Sequence, residues 1–210
     1  MSRRAVPLMA ALLCTVMAVA GCASGADPGT AEVRTGGHGG GFHGRAIENG
    51  YPLPSQEFHD TGGAPFVPAD DADGPVTLVF FGYTHCPDIC NVVLANVASA
   101  LRGADAGVRD SVELLFVTTD PARDTGPVVR EYLDRFDPSY VGLVAPEATV
   151  KAAARALHIA YEGATPTGGG YEVSHGTQVT AFTDGSSRVV WPAETSVAGL
   201  RADLTRLVEG

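Results

Sequence analysis

Apolar positions along the chain come in two forms, unbroken runs and stripes repeating every three or four residues. From Leu53 to Phe66, apolar pieces flank Asp60-Thr61-Gly62-Gly63, turn chemistry that predicts a short β-hairpin. Val76 to Gly82 (VTLVFFG) and Val112 to Thr118 (VELLFVT) are nearly continuous apolar, β-branched and aromatic runs. Such runs are expected of strands buried on both faces. Between them, Ile89 to Leu101 is apolar at 89, 93, 97, 100 and 101, one stripe of a helix. Pro127 to Phe136 predicts a helix, Tyr140 to Val144 a third short strand, and Pro146 to Leu157 a helix with proline near its start. Thr177 to Phe182 and Ser187 to Trp191, joined by Thr183-Asp184-Gly185-Ser186, predict a terminal hairpin, and Ser196 to Val208 a closing helix. Strand and helix alternation followed by a late hairpin implies an α/β fold, a mixed central sheet flanked by helices, with an N-terminal β-hairpin.

The apolar stretch from Ala5 to Ala20 has a different character. It follows Ser2-Arg3-Arg4 and is interrupted only by Pro7, Cys14 and Thr15. A charged start and a short apolar core read as an export signal, of marginal length for a membrane span. It ends in Val19-Ala20-Gly21-Cys22, which resembles the lipobox of bacterial lipoproteins. That resemblance implies a lipoprotein-type signal peptide over residues 1–21 and lipidation of Cys22, which places the mature chain at the extracytoplasmic face of the cell membrane. An ordinary secretory cleavage signal needs no cysteine there. Residues 22–50 are rich in Gly, Ala and Ser and too poor in apolar residues to build a core, so they are expected to form a flexible tether ahead of a domain over 51–210. His38 and His43 fall in that segment and read as solvated tail histidines, weak metal capture being the alternative.

Charge narrows the partners. The full chain carries 14 Lys and Arg against 24 Asp and Glu, a formal charge of -10, and loss of residues 1–21 removes Arg3 and Arg4 and no acid. An acidic surface disfavours nucleic acid and anionic lipid headgroups, so membrane attachment would rest on the lipid.

Of the four cysteines, Cys14 would leave with the signal and Cys22 would carry the lipid. Cys86 and Cys90 remain. A fold stapled by disulfides would need more of them, and a bond closing so short a loop constrains the unfolded chain little. The pair therefore reads as a redox or metal site rather than a structural disulfide. It follows a buried strand and opens a helix, with Pro87 suited to the first helical position, so Cys86 is expected at the positive end of a helix. Four positions apart on one turn, the two α-carbons would lie roughly 6 Å apart, within disulfide reach. Reduced, two thiolates form a soft pair that favours Cu(I) over hard cations.

The segment Gly82-Tyr83-Thr84-His85-Cys86-Pro87-Asp88-Ile89-Cys90 resembles the Sco/SenC family of copper-handling proteins. Asp120-Pro121-Ala122-Arg123-Asp124-Thr125, Val173-Ser174-His175-Gly176-Thr177 and Thr183-Asp184-Gly185 agree with that match in order and spacing. The resemblance runs from about Tyr51 to the C-terminus. It implies a thioredoxin-like fold and copper ligation by Cys86, Cys90 and His175, with cytochrome c oxidase subunit II as the usual recipient of metal for its CuA site. Two positions depart from the family pattern: Asn91 stands where a second proline is expected, and Ser174 where many members carry Asp before the histidine. The second bears on the orientation of His175 if that carboxylate is the partner of the ring.

A third imidazole ligand would complete an S2N site able to hold Cu(I) and Cu(II), whereas a closed structural zinc site wants four protein ligands. His85 is a less favoured ligand, able to tune thiolate acidity, and His59 and His158 read as ordinary domain histidines. Asp120 to Thr125 is expected to make a turn and a helix N-cap, through Asp124 or Thr125. Three function classes follow: a copper metallochaperone supplied by another copper chaperone or a thiol reductant, a thiol:disulfide oxidoreductase using Cys86 and Cys90 as a redox pair, and a peroxide-reducing enzyme, the last needing neither His175 nor so near a second cysteine.

Overall fold

The structure, a computed structural model, describes residues 41–87, 89–167 and 170–210. The expected signal peptide, Cys22, His38 and most of the expected tether lie outside the described residues. In chain order the elements are β1 (Arg45–Ala46), β2 (Phe58–Asp60), β3 (Pro65–Phe66), α1 (Pro68–Asp71), β4 (Val76–Gly82), α2 (Ile89–Arg102), α3 (Ala106–Asp110), β5 (Val112–Thr118), α4 (Gly126–Leu133) and β6 (Val141–Val144). There follow α5 (Glu147–Ala156), β7 (Tyr161–Thr167), β8 (Gly170–His175), β9 (Val179–Thr183), β10 (Ser186–Trp191) and α6 (Val197–Glu209).

Eight strands form one mixed sheet in the order β1-β10-β9-β4-β5-β6-β2-β3. β4 pairs in parallel with β5, and β5 with β6, while the flanking pairs are antiparallel. The central position of β4 explains its composition: all seven of its residues are buried, so neither face tolerates a polar alternation. Side chains leave a strand alternately to its two faces. Leu78 and Phe80 of β4 join Val93, Leu94 and Val97 of α2 and Leu200 and Leu204 of α6 in one core. Val79 and Phe81 join Val150, Ala153 and Ala154 of α5 in the other.

The register of β4 on β5 positions the site. Val76 pairs with Val112 and Gly82 with Thr118, so the two strands end level. Their carboxyl-terminal loops, residues 83–87 and 119–125, therefore emerge side by side, the place where open α/β sheets bind ligands. Thr119 seals the junction: its N–H and hydroxyl both donate to the Gly82 carbonyl, at 2.7 and 3.1 Å.

Two expectations change. The tether does not run free to Gly50. Buried Asp203 of α6 accepts hydrogen bonds from the backbone N–H groups of His43 and Gly44 at 2.9 and 2.8 Å and from Trp191 Nε1 at 2.7 Å. β1 then pairs with β10, Arg45 opposite Val190. Gly44 is needed there, because a Cβ at that position would stand 2.4 Å from the Trp191 ring. This docking uses main-chain groups, which leave no hydrophobic pattern, and His43 itself stays exposed. The second change is the separate β7–β8 hairpin, a two-stranded sheet in a stretch for which the sequence pattern predicted no element. Its strands, YEGATPT and GYEVSH, contain Gly and Pro and show no clean alternation. Among the described residues no helix is long and apolar enough to cross a membrane.

Candidate metal centre

Four residues past the end of β4, the chain has turned back on itself to present a sulfur. The Cys86 N–H donates to the Tyr83 carbonyl at 3.2 Å, closing a turn with Thr84 and His85 at its centre. α2 begins at Ile89, so Cys90 lies in its first turn and Cys86 in the loop before it. The expectation that both share one helical turn is thus corrected, but the helix start still acts on Cys86: its Sγ accepts the Cys90 backbone N–H at 3.4 Å, as a capping oxygen would. Both cysteines are buried, reduced thiols. The hydrogen bond with Cys86 and then burial push the Cys90 thiol far above its ordinary pKa, the Cys86 charge adding to the effect.

The turn is held from beneath by Asp124. This carboxylate is fully buried and accepts from the Thr84 N–H at 2.9 Å, the Thr84 hydroxyl at 2.6 Å and the Thr118 hydroxyl at 2.6 Å. Asp124 therefore does not cap α4, whose N-cap residue Thr125 makes no side-chain cap bond either. Nothing in the local pattern of DPARDT marks one acid as buried, because its partners lie at the ends of β4 and β5. Asp120 is also buried and pairs with Arg123, whose guanidinium stands 6.0 Å from the centre of the Tyr83 ring.

His175 is the last residue of β8, on a strand end and not within a loop. The next residue is fixed by a 2.7 Å bond from the Gly176 N–H to the Ala160 carbonyl. Its ring meets Tyr83 and Phe80 edge-on, at centroid distances of 5.6 and 6.5 Å. Nδ1 lies 2.8 Å from the Gly176 carbonyl, which makes Nδ1 the protonated nitrogen and leaves the Nε2 lone pair facing the sulfurs. The ring's partner is thus a backbone carbonyl, so its orientation does not depend on an acid at position 174. Nε2 lies 3.7 Å from Cys90 Sγ.

The structure brings Cys86, Cys90 and His175 together, with ligand atoms all within 4.8 Å of one another. Three donors around one ion at ordinary metal–S and metal–N distances stand about 4 Å apart, so small side-chain adjustments suffice to close on a cation. Two sulfurs and an imidazole match copper, and both sulfurs must lose protons to bind it. At the other departure from the family pattern, Asn91 Oδ1 accepts the Tyr132 hydroxyl at 3.0 Å, joining the first turn of α2 to α4.

A mixed α/β sheet with two cysteines beyond the end of its parallel strand β4, met by a histidine from the separate β7–β8 hairpin, defines a thioredoxin-like protein built to hold a soft metal. The SCO1/SenC family pattern matches residues 54–209, and the chain belongs to that family. A Stutzerimonas stutzeri relative named for copper binding is 31% identical over 158 residues, 75% of this chain and 77% of the relative. A mitochondrial SCO1 homologue of Arabidopsis thaliana is 34% identical over 102 residues, which are 49% of this chain but only 30% of that longer protein. The solved structure of Bradyrhizobium japonicum ScoI with copper bound superposes with a TM-score of 0.64 at 29% identity, over 76% of this chain and 99% of that one.

Proposed function

We propose that this protein binds copper through Cys86, Cys90 and His175 and delivers it to the CuA site of cytochrome c oxidase subunit II during assembly. The observation that carries the reading is the convergence of two thiols and one imidazole within 4.8 Å at the mouth of the fold. The copper held by a 29% identical relative supports it. On this reading the lipid on Cys22 keeps the domain at the extracytoplasmic face of the membrane, where an oxidase copper site is built, and the metal arrives from another copper chaperone. Titration of the reduced domain should give one copper per chain, with S→Cu charge-transfer absorbance when Cu(II) is added. Replacing Cys86, Cys90 or His175 by Ala should abolish or sharply weaken it. Absence of that absorbance in the wild type would sink the proposal.

A thiol:disulfide role on the same target remains the second reading, favoured by the hydrogen bond from the α2 start onto Cys86 Sγ. It requires an external thiol reductant and does not use His175, so a His175→Ala protein that still supports oxidase assembly would select it.

A further inference from the structure

β7 and β8 form a sheet of their own, so their ladder alone does not fix His175 against the cysteines. One tie comes from the residue directly across the hairpin. Tyr161, the first residue of β7, pairs with His175, the last of β8. Residues opposite one another in an antiparallel pair send their side chains to the same face. Both of these reach the body of the fold. His175 places Nε2 3.7 Å from Cys90 Sγ, and the Tyr161 hydroxyl donates to the Thr119 carbonyl at 2.8 Å. Thr119 in turn gives its own N–H and hydroxyl to the carbonyl of Gly82, the residue just before the turn that presents Cys86. The strand end that carries the imidazole is therefore joined to the start of the cysteine turn through Tyr161, Thr119 and Gly82. The Tyr161 ring is held as well by Lys151 of α5, whose Nζ lies 5.8 Å from the ring centre and pairs with Glu147 at 2.7 Å.

We infer that Tyr161 is a positioning residue for copper: on the copper-binding reading, which this inference rests on, its hydroxyl holds the hairpin so that His175 stands beside the sulfurs before the metal arrives. Tyr161 touches no ion itself. Holding the third donor in place removes the cost of ordering a free hairpin when the ion binds. How much this matters depends on the oxidation state of copper. Two thiolates are the soft pair that suits Cu(I), whereas Cu(II) draws more on the imidazole. Tyr161 thereby sets how strongly the site holds Cu(II) relative to Cu(I).

The test compares the wild type with Tyr161→Phe, which keeps the ring and removes only the hydroxyl. Cu(I) and Cu(II) affinities are measured by competition titration, the Cu(II) forms by electron paramagnetic resonance, and the metal-free proteins by thermal unfolding. The Phe variant is expected to bind Cu(II) about tenfold more weakly, the effect of losing an outer support of a metal ligand, while Cu(I) affinity stays within about threefold of the wild type. Hyperfine coupling from the imidazole nitrogen should weaken with it. The melting temperature is expected to fall by about 2–4 °C, the effect of one neutral hydrogen bond. Wild-type Cu(II) affinity in the Phe variant overturns the inference alone. An equal loss for both oxidation states, a far larger drop in melting temperature or a failure to fold makes Tyr161 a structural group and also overturns it. A wild type that takes up no copper overturns the copper reading itself, and this one with it.

Discussion

Asp124 reaches 40 residues back along the chain to hold Thr84 by both its backbone N–H and its hydroxyl. Two residues beyond Thr84 stands Cys86. The buried carboxylate thus fixes the start of the turn that presents the first sulfur, and with the Thr118 hydroxyl it ties together the ends of β4 and β5. Three donors converge on one fully buried carboxylate, a setting in which each bond is worth more than its surface equivalent.

Replacing Asp124 by Ala removes the acceptor of all three donors and leaves the buried Thr118 hydroxyl without it in the interior. The expected loss is about 3 kcal/mol of folding stability, from hydrogen bonds to a charged group. Asp124→Asn keeps the shape but brings a donor toward the hydroxyls, and should cost less. Denaturant unfolding of the reduced domain reads both. A stability loss under about 0.5 kcal/mol for the Ala variant, the ordinary range for a surface substitution, would show the network to be incidental.

How far the sequence foretold all this depends on which groups carry the information. VTLVFFG and VELLFVT announce β4 and β5 to the residue, because a strand covered on both faces over most of its length reads as a nearly continuous apolar run. Cys86 and Cys90 could be read from their isolation and their place between strand and helix. Asp124 could not, since an acid buried by partners 40 and 6 residues away looks locally like any loop acid. The β7–β8 hairpin was hidden by its glycines and proline, so the placement of His175 on a strand end came only from the structure. The docking of residues 43–46 was hidden too, because Asp203 binds main-chain N–H groups that every residue owns.

The Asp203 contact makes the one tryptophan of the chain a reporter. Its carboxylate holds Trp191 Nε1 and the entry of the N-terminal segment together. Asp203→Ala should detach residues 43–47, shift Trp191 emission to longer wavelength, and lower stability by about 2–3 kcal/mol. Limited proteolysis should then cut between His43 and Glu48, in a segment that the wild type protects. Unchanged emission and cleavage would mean that β1 pairing alone secures the segment.

Copper uptake should strengthen with rising pH. The Cys90 thiol is held above its ordinary range by its bond with Cys86 and by burial, so it remains protonated across the neutral region and copper must displace that proton. Each proton released makes the apparent affinity rise about tenfold per pH unit, and the trend continues until the thiol titrates unaided. Competition against a chelator of known pH behaviour, between pH 6 and 8, measures the slope. A flat profile would show that Cys90 binds no metal.

The Asn91–Tyr132 bond offers a test of a position where the chain departs from its family's pattern. Tyr132 is buried against Phe116 and Phe136, and burial keeps its hydroxyl protonated and donating. Its partner Asn91 sits in the first turn of α2, where the backbone N–H has no partner within the helix and a proline can be accommodated. Tyr132→Phe should cost about 1 kcal/mol by removing the bond. Asn91→Pro should lose the same bond but regain stability through a stiffer unfolded chain, ending near the wild type. If the hydrogen bond is what couples the two sites, the double variant will be more stable than the sum of the single changes predicts, by roughly 0.5–1 kcal/mol. Strict additivity in that cycle would mean that α2 and α4 are joined here by packing alone.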